Sequence, residues 1–163
     1  MVAPLQVIGH KKSGKTTVMT ALIQAAKAFD LRVATIKHTH EAISPDTDSG
    51  RFAAQAPTWL LTPTQTLAYQ LAAAPLADRI AAIVQTCQAD ILLIEGAKAL
   101  DYPKLVLLNA DETPNDWGAI TNVVAFATLG APRDPKVLAW RDSQARAWLA
   151  AWYTQAGGVT WTD

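Results

Sequence analysis

A glycine-containing segment near the start of the chain has the residue types needed to hold a triphosphate. It matches the pattern G-x-x-x-x-G-K-[ST]. Gly9 and Gly14 tolerate the backbone conformations that bring amide N–H groups close to phosphate oxygens. Lys15 supplies a compact positive charge for the β- and γ-phosphates, and Thr16 supplies a hydroxyl for Mg²⁺. The sequence therefore predicts a nucleotide-binding loop made of Gly9, His10, Lys11, Lys12, Ser13, Gly14, Lys15, Thr16 and Thr17.

The flanking sequence supports the same interpretation. An apolar run before the loop predicts a strand over residues 5–8, and apolar residues recur at helical spacing from Val18 to Phe29. A helix that begins directly after the loop directs the positive end of its dipole at the bound anion. A strand, a phosphate loop and a helix in this order are typical of P-loop proteins.

Composition limits the classes of protein that the chain can represent. Half of the 163 residues are hydrophobic and 17% are charged, which excludes disorder, and we expect a single domain over residues 1–163. Lys and Arg together number 14, as do Asp and Glu, so no charge excess favours nucleic acid or a membrane surface as a partner. We find no apolar stretch of about 20 residues and no signal-like N-terminus, and we expect a cytoplasmic protein.

Strand-like and helical patterns alternate along the chain. Further strands are predicted at residues 33–36, 91–94, 105–108 and 123–128, and helices after Pro75 and around Trp148. Two short runs, 59–61 and 67–70, flank Thr62-Pro63-Thr64 and predict a β-hairpin, while residues 37–50 are expected to form a long loop. This alternation predicts an α/β fold of the P-loop NTPase type, with a mostly parallel sheet, helices on both faces and a hairpin extension.

Loops that follow parallel strands meet at one edge of the sheet. The phosphate loop, the segment that begins Lys37-His38 and the segment Glu95-Gly96-Ala97-Lys98 should therefore share a crevice. An acidic residue that ends a buried strand beside a phosphate loop can hold hydrated Mg²⁺ or orient an attacking water. We accordingly take Glu95 as the candidate catalytic residue and a magnesium ligand; alternatively, it only caps the end of the strand.

Four ordered motifs resemble the MobB family of molybdopterin-guanine dinucleotide biosynthesis. They are the phosphate loop, Ile36-Lys37-His38-Thr39-His40, Asp46-x-Asp48-Ser49-x-Arg51 and Leu93-Ile94-Glu95-Gly96-x-Lys98. The resemblance implies a homodimeric accessory protein with at most slow GTPase activity, which binds GTP and Mg²⁺. It also implies a molybdopterin ligand and a partner guanylyltransferase of the MobA type, which attaches GMP to molybdopterin.

The same resemblance extends the set of candidate site residues. It assigns Lys37, His38, His40, Gly96 and Lys98 to the nucleotide site, and Asp46 and Asp48 join Thr16 and Glu95 as candidate magnesium ligands. Other interpretations of these residues stay open. His38 and His40 have a spacing that also suits a metal pair, and the two aspartates are also typical of a turn after Pro45.

Three other functions are compatible with a phosphate loop. A small-molecule kinase uses the loop for phosphoryl transfer, although the arginines of this chain form no local cluster in the sequence. A metal-delivery GTPase is less favoured because the chain has a single cysteine, Cys87. An inert interaction module would not need an intact Gly-Lys-Thr sequence. Since no Asn-Lys-x-Asp segment is present, only the family resemblance favours GTP over ATP.

Overall fold

The first strand lies inside a six-stranded sheet in the computed structural model, which describes residues 1–39, 46–70 and 72–158. His40, a predicted nucleotide contact, lies outside the described residues. In chain order the helices and strands are β1 (Ala3–Gly9), α1 (Lys15–Ala28), β2 (Val33–Lys37), α2 (Asp48–Ala53), β3 (Thr58–Leu61), β4 (Thr66–Tyr69), α3 (Leu76–Thr86), β5 (Ile91–Glu95), β6 (Lys104–Leu107), β7 (Val123–Thr128), β8 (Val137–Ala139) and α4 (Ala145–Gln155).

The strand order in the sheet is β2-β5-β1-β6-β7-β8, and every neighbouring pair is parallel. Val7 of β1 is in register with Glu95 of β5 on one side and Leu105 of β6 on the other. Lys37 of β2 is also in register with Glu95. The C-terminal ends of these strands therefore reach the same edge of the sheet.

The core lies on both faces of the sheet. On one face, buried side chains of β1, β5 and β6 pack with α1 and α4, where Leu22, Leu149 and Trp152 are buried. On the opposite face, Ile8 and Val106 pack with Trp117, which belongs to a short 3-10 helix at Pro114–Trp117. Trp140 and Trp152, near the C-terminal end of the chain, are also buried core residues.

The predicted fold class is confirmed, since the sheet is parallel and the predicted strands are all present, together with the hairpin of β3 and β4. Helix α2 and strand β8 were not predicted. The prediction of a loop over residues 37–50 is wrong at its C-terminal end, because α2 begins at Asp48. The Thr47 hydroxyl caps this helix by accepting a hydrogen bond from the Gly50 N–H at 3.1 Å. Strand β8 spans only three residues, which is too short to produce a recognisable alternation.

The chain divides into two compact units. Residues Met1–His38 and Ala82–Asp163 form the first unit, which contains the parallel sheet, and Thr39–Ala81 form the second, which contains α2 and the hairpin. The expectation of one domain over residues 1–163 stays a prediction. Within the described ranges, no helix is both long and apolar enough to cross a membrane.

A lysine is fully buried at the start of β6. The side chain of Lys104 has 0% exposure, and its ammonium donates a hydrogen bond to the Tyr102 carbonyl at 3.1 Å. Loss of hydration lowers the pKa of Lys104, and the negative charge of Asp101 offsets only part of this effect. The buried charge is therefore expected to destabilise the fold at neutral pH.

Lys104→Met should alter the pH dependence of stability. In the unfolded chain this lysine has its ordinary pKa of 10.5, and in the folded chain the pKa is lower, so unfolding takes up a proton between the two values. The wild-type free energy of unfolding should rise, relative to that of the Met variant, as the pH increases from the lowered pKa of the folded state towards 10.5. Urea denaturation at several pH values measures this difference; a constant difference would contradict the prediction.

Candidate functional site

The phosphate loop connects the end of β1 to the start of α1. Gly14, with a φ of 91°, adopts a left-handed conformation and immediately precedes Lys15, the first residue of the helix. Among the described residues, no side chain caps the N-terminus of this helix. The amide groups of the first helical turn, which have no partners within the helix, are therefore left for a ligand.

Lys15 lies across its own loop. Its ammonium group donates hydrogen bonds to the carbonyl oxygens of Gly9 at 2.9 Å and His10 at 2.7 Å. These bonds hold the positive charge at the loop without neutralising it, because both acceptors are uncharged. Thr16 and Thr17, at the start of α1, are exposed.

Packing requires glycine at position 9, and the backbone conformation favours it at position 14. A Cβ atom on Gly9 would lie 2.2 Å from Ser13 Oγ and 2.7 Å from the carbonyl oxygen of Leu107. A Cβ on Gly14 would lie 2.2 Å from Leu129 Cδ1, and its φ is also unfavourable for other residues. The buried hydroxyl of Ser13 has no hydrogen-bond partner among the described residues. The loop thus fits an anion, with a close backbone approach at Gly9, a left-handed Gly14 and a buried hydroxyl on Ser13 that has no partner among the described residues.

Glu95 ends β5 at the edge that also carries the phosphate loop. Its backbone carbonyl accepts from the His38 N–H at 3.0 Å, and the next amide, of Gly96, donates to the Val7 carbonyl at 3.1 Å. Gly96 and Ala97 have φ values of 85° and 52°, so the chain turns sharply at this point. The predicted meeting of Lys37, His38 and Glu95 at one edge is therefore observed in the strand register.

A glutamine inside β1 fixes the turn after Glu95. The fully buried amide of Gln6 donates to the carbonyls of Gly96 at 3.0 Å and Ala97 at 2.9 Å, and its Oε1 accepts from the Tyr102 N–H at 3.3 Å. Sequence reasoning did not single out this residue. The available signal was a lone polar side chain in an otherwise apolar central strand, since such a residue needs buried partners.

The side chain of His10 is held by the loop after β6. Its Nδ1 contacts the carboxylate of Glu112, and its ring lies against Trp117, with ring centroids 4.6 Å apart. The second oxygen of Glu112 accepts from the Asn109 N–H at 2.7 Å. His10 therefore ties the phosphate loop to the neighbouring loop. Its predicted contact with nucleotide stays a prediction, as do those of the exposed Lys11 and Lys12.

The remaining candidates fall into two groups. Lys37 and Lys98 belong to the first unit and are exposed. Asp46 and Asp48 belong to the second unit, where Asp48 lies in the first turn of α2 and its carboxylate is 3.7 Å from the Arg51 guanidinium. Their predicted role with Mg²⁺ stays a prediction. Among residues 1–39, 46–70 and 72–158, no three His, Cys, Asp or Glu side chains form a group that could hold a metal ion.

Comparison with known proteins now places the chain in a family. Residues 4–129 match the family described as MobB, molybdopterin guanine dinucleotide synthesis protein B. The chain belongs to the MobB family. One curated relative, a "Probable molybdopterin-guanine dinucleotide biosynthesis adapter protein" of Bacillus subtilis (strain 168), is 32% identical over 130 residues, which cover 75% of this chain and 73% of the relative.

Solved MobB structures share the fold. The crystal structure of a MobB protein homolog from Bacillus stearothermophilus superposes with a TM-score of 0.68 at 22% identity, covering 94% of this chain and 97% of the homolog. Bacillus subtilis MobB gives 0.66 at 24% identity, covering 90% and 96%. The family resemblance indicated by the four motifs is thereby confirmed.

Proposed function

We propose that this MobB-family chain binds GTP with Mg²⁺ at the phosphate loop and assists a molybdopterin guanylyltransferase. The assisted reaction is the attachment of GMP to molybdopterin. Family membership supports the pathway, because the related protein of Bacillus subtilis is described as an adapter in molybdopterin-guanine dinucleotide biosynthesis. The geometry of the phosphate loop supports the proposal that a nucleotide binds there.

The position of Lys15 is the observation that carries the proposal. Its ammonium is held by two uncharged carbonyls, those of Gly9 and His10, beside the uncapped end of α1. A triphosphate would replace or supplement these bonds with charge-assisted ones, which are roughly twice as strong. The charged side chain is therefore already near the place where the β- and γ-phosphates would lie.

A magnesium site can be assembled from residues at the same edge of the sheet. Mg²⁺ usually keeps several waters and takes only one or two protein ligands in addition to substrate phosphates. The exposed Thr16 hydroxyl and the partly buried Glu95 carboxylate have the oxygen chemistry required. Bound Mg²⁺ would neutralise charge on the phosphates, while Glu95 would accept hydrogen bonds from its coordinated water.

The hairpin of β3 and β4 supports assembly into a homodimer. Trp59 and Leu61 are 62% and 72% exposed, and Leu60 and Leu67 are exposed as well. Since successive strand residues face opposite sides, Trp59 and Leu61 lie on one face of the hairpin and Leu60 and Leu67 on the other. An isolated two-stranded hairpin is marginally stable in water, and an exposed apolar face such as that of Trp59 and Leu61 marks a site of protein association. We take this surface as the contact with a second copy, and binding of the guanylyltransferase to it is the alternative that the assay below addresses.

Lys15→Ala should weaken GTP binding while leaving the fold intact. The variant removes the charge-assisted contact to the phosphates, which is worth about 1.5 to 3 kcal/mol. Lys27→Ala, which removes the same side chain from the last turn of α1, is the matched control. Calorimetric titration with GTP measures the affinity of each variant. Equal affinities for the two variants would mean that this loop is not the nucleotide site.

Glu95→Gln should separate magnesium-dependent hydrolysis from binding. The amide keeps the size of the side chain but removes the negative charge that acts on Mg²⁺ and its water. We expect the rate of GTP hydrolysis with Mg²⁺ to fall much further than GTP affinity measured in EDTA. A similar fall in both quantities would indicate that Glu95 has a structural role.

Addition of the protein to a guanylyltransferase and molybdopterin should increase formation of molybdopterin-guanine dinucleotide. The increase should require GTP binding, so Lys15→Ala should abolish it and Lys27→Ala should not. Analytical ultracentrifugation of the protein with and without the enzyme would show whether a dimer persists in the complex. Phosphorylation of a small acceptor at about 1 to 100 per second, with no effect on the guanylyltransferase, would support the kinase alternative instead.

A further inference from the structure

A cavity of about 310 Å³ lies beside the phosphate loop in the first unit. It opens between the loop that follows β6 and the loop that follows β7. Its polar lining includes Asn109, Glu112, Asn115, Arg133 and Asp134, and Pro132 and Pro135 add rigid apolar surface. Its volume is at the lower end of the range for small-molecule sites, about 300 to 1,000 Å³. Such a cavity suits a nucleobase with part of its sugar better than a complete dinucleotide.

Both walls of the cavity touch the phosphate loop. In the first wall, Glu112 contacts His10, and the amide of Asn109 donates to the Lys11 carbonyl at 3.5 Å. Leu129 does not line the cavity but directly follows Thr128, which does, and a Cβ on Gly14 would lie 2.2 Å from Leu129 Cδ1. A nucleotide whose phosphates occupy the loop would therefore have this cavity immediately to one side.

The polar groups of the second wall differ in availability. Asp134 Oδ1 accepts from the Lys136 N–H at 2.8 Å, whereas no hydrogen bond within the described chain reaches its Oδ2. Arg133 also lines the cavity, and its guanidinium has no hydrogen bond or ion pair to any described residue. In the first wall, by contrast, both oxygens of Glu112 are already engaged. Asp134 Oδ2 and the Arg133 guanidinium, both without a partner among the described residues, thus belong to consecutive residues of one loop that lines the cavity.

We propose that this cavity holds the purine base of the bound nucleotide and that Asp134 selects guanine. The inference rests on the proposed binding of a nucleoside triphosphate at the phosphate loop. Guanine presents two adjacent donors, N1–H and the 2-amino group, to an acidic acceptor, and its O6 and N7 accept from arginine. Adenine would present its unprotonated N1 to the carboxylate, so acceptor would face acceptor. Asp134 therefore reads the donor edge of guanine, and Arg133 donates to O6 or N7.

Asp134→Asn tests the assignment with little change in shape. The remaining Oδ1 can still accept from the Lys136 N–H, while an NH₂ group replaces the free oxygen. GTP should bind about 10- to 100-fold more weakly, as expected for loss of a paired base contact. Xanthosine triphosphate should bind more tightly than to the wild type, because xanthine has an oxygen in place of the 2-amino group. Affinity for inorganic triphosphate, which reports on the phosphate loop alone, should not change.

Two further variants complete the experiment. Asp111→Asn removes the same charge from an exposed position in the loop after β6 that does not line the cavity, and GTP affinity should stay at the wild-type value. Arg133→Ala should weaken GTP binding about 10-fold without affecting inorganic triphosphate. This variant provides a test that does not depend on the fold of Asp134→Asn.

The possible results are distinguishable. Unchanged GTP affinity in Asp134→Asn, or equal losses for GTP and inorganic triphosphate, would overturn the base assignment while leaving the proposed function standing. A wild-type protein that binds GTP and ATP equally would also overturn it. A wild-type protein that binds no nucleoside triphosphate would overturn the proposed function and this inference together.

Discussion

The parallel pairing of β1 on both of its sides is the constraint from which the site follows. Because β5 and β6 run beside β1 in the same direction, the turns after Gly9, Glu95 and Leu107 emerge at one edge. The backbone of Leu107 approaches Gly9 so closely that a side chain at position 9 would not fit. The phosphate loop is therefore shaped by the sheet as much as by its own sequence.

Side-chain contacts, two polar and one apolar, then connect neighbouring loops at this edge. Gln6 holds the turn after β5, Glu112 holds His10, and Leu129 packs over Gly14. Each contact joins residues that are far apart in sequence, so the orientation of the loop depends on three strands. A loop fixed in this way loses little conformational entropy when an anion binds, which is the advantage of a preorganised site.

The sequence predicted the parts of this arrangement that depend on local pattern. Apolar runs located the strands, helical spacing located α1, α3 and α4, and the phosphate loop carries its chemistry within nine consecutive positions. Short elements such as α2 and β8 escaped because six and three residues are too few for a period to emerge. The contacts of Gln6 with Gly96 and of His10 with Glu112 could not be predicted, because periodicity does not identify which residues distant in sequence meet.

The same distinction explains why the proposed base site could not be predicted from the sequence. A search for Asn-Lys-x-Asp assumes that the groups that read guanine lie within one short segment. In this fold the cavity beside the phosphate loop is lined from two loops, with Asn109 in one and Asp134 in the other, and only the parallel order of β6 and β7 brings them together. Base selectivity at such a site is a property of tertiary structure. The residues that would select a base are identified from the polar atoms around the cavity that lack a partner. A contiguous sequence pattern does not identify them.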